Sequence, residues 1–238
     1  MKIIKQIEQN RCIWFDRDCW EQCPDDFFSP FYWKQQHAVV GQAKGRGQAL
    51  FFQHQDQSYV LRHYHRGGMV GKLSHDRFLY LGKRLSRCRQ EFMLLCELVR
   101  LGLPGPIPVA ARMVREGLFY RADLITKRIP KARDLSELLV KQRLSVDVWR
   151  EVGRVIRRFH DAGIDHSDLN IHNIMLDHQE QVWVIDLDKS HRRSKGKWQQ
   201  DNLERLLRSL NKERQRMPHW YWLDSDWQIL MQGYQGLK

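Results

Sequence analysis

Acidic residues are scarce in this 238-residue chain: 28 Asp and Glu stand against 40 Lys and Arg, a formal net charge of +12 before any of the 11 His protonates. Such an excess implies an anionic partner, and nucleic acid, phosphorylated small molecules and anionic lipid headgroups all qualify. Long apolar runs are missing as well. No stretch approaches the roughly 18–20 apolar residues of a membrane span. The opening MKIIKQIEQNR has no apolar core followed by a small-residue cleavage site, so the expectation is a cytoplasmic chain without signal peptide or transmembrane segment. Cysteine is sparse and odd in number (Cys12, Cys19, Cys23, Cys88 and Cys96) with no C-x-x-C, which speaks for reduced thiols. Zinc at Cys19 and Cys23 would need two further ligands at suitable spacing. Internal repeats and low-complexity tracts are absent too, which excludes a solenoid.

What is present reads as a folded chain. With 42% hydrophobic and 29% charged residues it has material for a sizeable core, and its length fits one large domain or one bilobal unit. The sharpest compositional break is GLPGPIP at 102–108, which continues neither helix nor strand and is predicted as a loop. Upstream, short β-rich runs around Val39, Phe51 and Val60, separated by Gly-rich or polar turns, predict an antiparallel meander. Leu85, Cys88, Phe92, Leu95 and Val99 then form a helical stripe that Gly102 ends, and 118–129 reads as a strand stopped by Pro130.

Downstream, Ser145 is the expected N-cap of a helix with Val148, Val152, Ile156 and Phe159 as its buried stripe and Gly163 as its stop. Apolar runs at 174–176 and 182–187 flank the turn-like DHQEQ and predict a small hairpin. The C-terminal part predicts one helix through Leu203, Leu206, Leu207 and Leu210, and another from near Ser225, where Ser-Asp-Trp-Gln has capping-box spacing. The fold class is α+β, with a strand-rich half over 1–130 and a mainly helical half over 131–238.

One constellation carries chemistry. In HSDLNIHN, His166, Asp168 and Asn173 fall in a turn-rich segment after a helix, and Asp186 lies thirteen residues beyond Asn173 at the end of an apolar strand. Phosphoryl transfer needs a carboxylate to orient and deprotonate an attacking hydroxyl, plus oxygen ligands that hold Mg²⁺ against nucleotide phosphates. Asp168 is the candidate catalytic base, and Asn173 and Asp186 are the candidate metal ligands, all carried by one short hairpin. A polar loop with a strand-end carboxylate could hold any one of these residues. The distal Asn, the spaced Asp and the preceding amphipathic helix together favour the functional reading.

This segment resembles the catalytic loop of the protein-kinase-like superfamily, H-x-D-L-x-x-x-N, matched at His166, Asp168, Leu169 and Asn173. The resemblance implies a bilobal protein-kinase-like fold, a small antiparallel-sheet lobe plus helix that covers the nucleotide and a mainly helical catalytic and acceptor-binding lobe, with ATP and Mg²⁺ as cofactors. Asn170 stands where protein kinases usually carry Lys, and Asp186-Leu187-Asp188 replaces Asp-Phe-Gly. Both departures are common among superfamily members that phosphorylate small molecules or sugars, and Asp188 is then a further carboxylate near the metals. The small lobe should supply a basic phosphate anchor held by a helix carboxylate. Arg62 stands where the Val-Ala-Ile-Lys pattern would put Lys, with Glu91 as its expected partner and Glu97 as the alternative. In GQAKGRG, Gly41, Gly45 and Gly47 with Lys44 are candidates for phosphate cover, the other reading being a plain Gly-containing hairpin turn. Adenine contacts are expected from the backbone around 129–132.

LRHYHRGG, QEFMLLCELVRLGLPGPIP, HSDLNIHNIMLD and VWVIDLDKS together look like the 3-deoxy-D-manno-octulosonic acid (Kdo) kinases, which are similar to lipopolysaccharide core heptose kinases. That resemblance implies ATP-dependent phosphorylation of the Kdo sugar of Kdo-lipid IVA, at its 4-hydroxyl, in lipopolysaccharide inner-core assembly. The stretch from Lys189 to Arg216 holds ten Lys and Arg against Asp201, Glu204 and Glu213, and suits an acidic, phosphorylated acceptor. Trp198, Trp220, Trp222 and Trp227 accompany it, either as membrane-interface residues or as large-lobe core. The expected partners are therefore Kdo-lipid IVA or a related precursor and an anionic membrane surface, with peripheral attachment to the cytoplasmic side of the inner membrane and no nucleic acid. The alternatives are a heptose or protein acceptor, and a noncatalytic basic lipid- or nucleic-acid-binding module on a kinase-like scaffold. Binding alone would have no use for Asp168, Asn173 and Asp186 together.

Overall fold

The structure, a computed structural model, describes residues 1–43, 49–66 and 76–236. Two compact units divide the chain: Met1–Cys96 with Pro106–Arg128, and Glu97–Gly105 with Ile129–Lys238.

The first unit is built on β1 (Ile3–Glu8), β2 (Arg11–Asp16), β3 (Val39–Ala43), β4 (Ala49–His54), β5 (Gln57–His63), β6 (Phe78–Leu79), β7 (Pro108–Glu116) and β8 (Phe119–Lys127). All pair antiparallel, in the order β1-β2-β7-β8-β5-β4-β3 with β6 beside β8. The meander around Val39, Phe51 and Val60 is thus present as β3, β4 and β5. Gln55 and Asp56 turn β4 into β5 with φ of 49° and 60°, the mirror-image hand that matches strand twist. Alternation along these strands sends Leu50, Phe52, Tyr59 and Leu61 to one face, where they join Ile13, Phe15 and Ile125. Helix α1 (Pro30–Gln35) covers that face. It is capped by Ser29, whose Oγ accepts from the Tyr32 N–H at 3.4 Å, and it starts on a proline whose missing N–H needs no partner there. Trp33 stacks on Phe52 with ring centroids 4.0 Å apart and donates its indole N–H to the Phe27 carbonyl at 2.7 Å, so the ring is buried with its polar atom satisfied.

Helix α2 (Arg87–Arg100) starts after Leu85, and its buried face departs from the expected stripe only at the two ends. Leu85 and Val99 are exposed, whereas Cys88, Glu91, Phe92, Leu95 and Leu98 are buried. Cys88, Phe92 and Leu95 hold the expected stripe, and Glu91, expected as the partner of Arg62, lies on the same buried face.

The second unit contains β9 (Arg133–Asp134), α3 (Leu135–Leu139), α4 (Val146–Asp161), β10 (Ile164–Asp165), β11 (Ile174–Leu176), β12 (Val182–Val184), β13 (His191–Arg192), α5 (Trp198–Arg216) and α6 (Asp224–Gln235). Helix α4 has the anticipated anatomy. The Ser145 Oγ accepts from the Val148 N–H at 3.2 Å, Val148, Val152, Ile156 and Phe159 are buried, and Gly163 follows the C-cap at φ 73°. Helix α6 begins one residue before Ser225. The Asp226 carboxylate, not Ser225, makes the capping contact, accepting from the Leu223 N–H at 2.8 Å. Strands β11 and β12 form the hairpin, whose turn is held by Asp177 Oδ1 accepting from Gln179 and Gln181 N–H at 2.8 and 3.0 Å. The loop residue Pro104 joins this unit, its carbonyl accepting from the Val184 N–H at 2.9 Å.

Trp198 and Trp222 are buried in this unit, which assigns both to its core instead of to a membrane interface. Among the described residues no helix is long and apolar enough to cross a membrane, and no cysteine is paired.

Candidate functional site

Helix α4 ends at Asp161, and the site is built on the loop that follows Gly163 and on the strand end before Asp186. His166 is its brace. This fully buried imidazole takes the Asp168 N–H on Nδ1 at 3.2 Å and bonds the Ile185 carbonyl through Nε2 at 2.9 Å. Burial lowers its pKa, so the ring is neutral, accepting on one nitrogen and donating from the other. The loop after α4 is thereby tied to the strand end that carries Asp186.

Asp168 itself projects outward, its side chain 64% exposed, while its backbone is fixed. The Asp168 carbonyl accepts from Asn173 Nδ2 and Asn170 Nδ2, both at 2.9 Å. Asn170 also takes the His172 N–H at 2.9 Å, closing a tight turn that positions Asn173. Because Asn173 spends Nδ2 on this bond, Oδ1 is the end of its amide that can serve a cation. The Ile185 N–H donates to the Asn173 carbonyl at 2.9 Å, which sets Asp186 one residue from a fixed strand end. Asp186 has φ 59°, a left-handed conformation uncommon for a non-glycine residue and characteristic of constrained functional turns. Ser167 Oγ donates to the Asp188 carbonyl at 2.7 Å, holding the following turn.

Asn173 and Asp186 offer hard oxygen ligands, the chemistry Mg²⁺ prefers. Among the described residues no group of three His, Cys, Asp or Glu side chains is arranged to hold a metal unaided. Two protein ligands suit a cation that completes its shell with phosphate oxygens and water.

No local signal announces the outer support, because it comes from residues far along the chain. Asn202 of α5 accepts from the His166 N–H at 3.2 Å and donates to Asp165 at 3.1 Å, and Asp165 pairs with Arg193 at 3.0 Å. Ser190 takes the Ser167 N–H at 3.1 Å, and Ser209 takes the Ile171 N–H at 3.0 Å. Arg205, also on α5, lies 3.9 Å from Asp168 Oδ1.

In the first unit, Arg62 of β5 is ion-paired with Glu91 of α2, and Tyr64 donates its hydroxyl to the same carboxylate. Glu91 and Tyr64 are buried, and burial, followed by the Glu91 charge, raises the Tyr64 pKa well above its ordinary value. Glu97, the other candidate partner, bonds Arg192 at 2.7 Å and Arg100 at 3.4 Å instead. Gly41 lies within β3, at a register irregularity, not in the turn after it, and a Cβ there would meet the Phe51 ring at 3.4 Å. Lys44, Gly45 and Gly47 lie outside the described residues.

The basic stretch from Lys189 to Arg216 is less bare than its composition suggests. Arg192, Arg193, Arg205, Arg208, Arg214 and Arg216 all pair with carboxylates, most of them drawn from other segments.

Comparison with known proteins gives the family. The model of the lipopolysaccharide kinase (Kdo/WaaP) family matches residues 31–234. A 3-deoxy-D-manno-octulosonic acid kinase of Vibrio parahaemolyticus is 44% identical over 214 residues, covering 90% of each chain. Its namesake in Vibrio cholerae is 45% identical over 201 residues, 84% of this chain and 86% of that one. That of Actinobacillus succinogenes is 42% identical over 238 residues, 97% and 99% of the two chains. The α+β fold, the braced Asp168 loop and these matches lead to one conclusion: the chain is a kinase and belongs to the lipopolysaccharide kinase (Kdo/WaaP) family.

Proposed function

We propose that this kinase transfers the γ-phosphate of Mg²⁺-ATP to the 4-hydroxyl of the Kdo residue of Kdo-lipid IVA, at the cytoplasmic face of the inner membrane, during lipopolysaccharide inner-core assembly. The observation that carries the reading is the loop itself. Asp168 presents an exposed carboxylate on a backbone locked by His166 and Asn173, while the same hydrogen bonds fix the amide of Asn173 and the strand end before Asp186. The names of the relatives supply the acceptor sugar.

In this reading Asp168 orients the acceptor hydroxyl and takes its proton as the oxygen attacks phosphorus. Asn173 Oδ1 and the Asp186 carboxylate hold Mg²⁺, which when bound neutralises charge on the nucleotide phosphates. Arg62 contacts the phosphates, and Glu91 with Tyr64 keeps its guanidinium oriented. Arg205, beside Asp168, is placed to meet an acceptor's carboxylate.

Nucleotide titration with two variants tests the division of labour. Asp168→Ala should retain Mg²⁺-ATP binding and lose transfer, and Asp186→Ala should weaken Mg²⁺-ATP binding as well. Wild-type turnover in Asp168→Ala would remove that residue as the base.

A further inference from the structure

The first unit exposes a compact apolar tip. Strand β6 pairs with β8 so that Leu79 lies opposite Phe119, and the Tyr80 N–H donates to the Leu118 carbonyl at 2.9 Å. This brings two chain segments side by side, and both end in large apolar residues turned outward. Leu79, Leu81, Leu85, Leu118 and Phe119 are all exposed, Leu81 by 67% and Leu118 by 72%. Scattered surface leucines need no explanation, but four with a phenylalanine on two adjoining segments do.

The charge around the tip is mainly positive, and its two carboxylates, Glu116 opposite Phe119 and Asp76, are taken up by Arg77 and Arg121. Residues 77–89, RFLYLGKRLSRCR, contain five Lys and Arg and no acidic residue. Among the described residues Lys83, Arg84, Arg89 and Arg115 make no ion pair, unlike most of the arginines between Lys189 and Arg216. Arg115 lies over the Tyr80 ring at 4.5 Å, and Arg87 over Phe78 at 4.7 Å, so cationic heads and ring faces alternate beneath the leucines.

We infer that this tip, Leu79, Leu81, Leu85, Leu118 and Phe119 with its collar of Lys83, Arg84, Arg89 and Arg115, inserts into an anionic lipid surface. Apolar side chains that reach past a ring of cations match a bilayer interface, where phosphate headgroups lie above acyl chains. A second copy of the same tip matches poorly, since docking it would set cation against cation. The assignment moves membrane contact away from Trp198 and Trp222, which are buried, and gives it to the sheet edge of the first unit.

The inference extends the reading of the acceptor as a membrane-held lipid, and the two fail separately. Full-length protein is sedimented with sucrose-loaded vesicles of phosphatidylglycerol and phosphatidylethanolamine, and with phosphatidylcholine vesicles as reference. In parallel, phosphate transfer is measured to a Kdo acceptor stripped of its acyl chains. Leu81→Glu with Leu118→Glu should lower binding to the anionic vesicles by about tenfold or more. Lys83→Gln with Arg84→Gln should lower it by about tenfold and flatten its salt dependence. All of these positions lie outside the kinase site, so both variants should phosphorylate the soluble acceptor like the wild type.

Unchanged vesicle binding in both variants would overturn the inference, as would wild-type protein that prefers anionic vesicles no more than phosphatidylcholine. A leucine variant that shifts the sedimentation mass from dimer to monomer, with vesicle binding unaltered, would give the tip to a second copy and overturn it as well. Absence of transfer by wild type, with the predicted vesicle pattern intact, would instead strike the acceptor assignment and support this surface.

Discussion

Helices α4 and α6 touch at Gly153 and Gly233, and alanine at either site makes an exacting test of the packing behind the catalytic loop. A Cβ on Gly153 would lie 2.0 Å from the Leu230 carbonyl oxygen and 2.7 Å from the Tyr234 nitrogen; one on Gly233 would lie 2.0 Å from the Arg150 carbonyl oxygen. Those neighbours are backbone, with no rotamer to move aside. Restoring ordinary contact requires the two helices to part by about 1 Å or more, the overpacking regime of about 1–3 kcal/mol. Intrinsic propensity acts in the opposite direction, since alanine in a helix interior is favoured over glycine by about 1 kcal/mol. With backbone blocking the site, overpacking wins, and the net expectation for Gly233→Ala is a loss of up to about 2 kcal/mol. Urea unfolding followed by circular dichroism reads this directly, and Tm should fall by about 2–4 °C per kcal/mol. A rise in stability of about 1 kcal/mol, the value propensity alone assigns, would refute the close approach of the two helices.

Other consequences are equally direct. His160 is buried, and burial depresses its pKa to about 4, so it folds neutral. The unfolded chain takes up its proton first, and stability should fall as pH drops from about 6.5 toward 4, by on the order of 3 kcal/mol. His160→Gln should flatten that part of a chemical-denaturation pH series, and an unchanged slope would contradict the assignment. His63 behaves oppositely: burial lowers its pKa, but Asp123 at 2.7 Å and Asp76 at 3.3 Å together raise it above the ordinary value. Its contribution is complete below about pH 6.5 and is lost as pH rises through the folded-state value, so His63→Gln should remove part of any decline in stability on the alkaline side. Arg62→Ala takes a cationic partner from the buried Glu91, a change that costs up to about 3–5 kcal/mol for buried pairs, and it should also raise the KM for ATP. Glu91→Gln with Arg62→Gln should recover stability without recovering the KM, and recovery of both would remove Arg62 from phosphate binding.

What could be read from the chain depended on how local its signals are. Helix α4 was legible because Ser145, the Val148–Phe159 stripe and Gly163 are each short-range signals that agree. The site loop was legible because His166, Asp168, Asn173 and Asp186 sit at fixed separations along one hairpin. Strands β1, β2 and β7 were missed. β2 pairs with β7 across about a hundred residues, as in Cys12 with Met113, and nothing near Cys12 announces that partner. Asn202, Ser190 and Ser209 were missed for the same reason, since each holds the loop from 23 to 38 residues away. The face of α2 was misread at its ends, where Leu85 precedes the helix and Leu98 is buried in place of Val99. The tryptophans near the C-terminus were ambiguous by nature, because an indole suits a core and an interface equally; burial of Trp198, with its N–H on the Ser194 carbonyl at 2.7 Å, decides for the core there.

The most direct measurement is mass spectrometry of Kdo-lipid IVA after incubation with the protein, ATP and Mg²⁺, beside an Asp168→Ala control. The expected result is a gain of one phosphate, located on the Kdo 4-hydroxyl by fragmentation, with wild type only. A product of unchanged mass with wild type, or equal phosphorylation by Asp168→Ala, would contradict it.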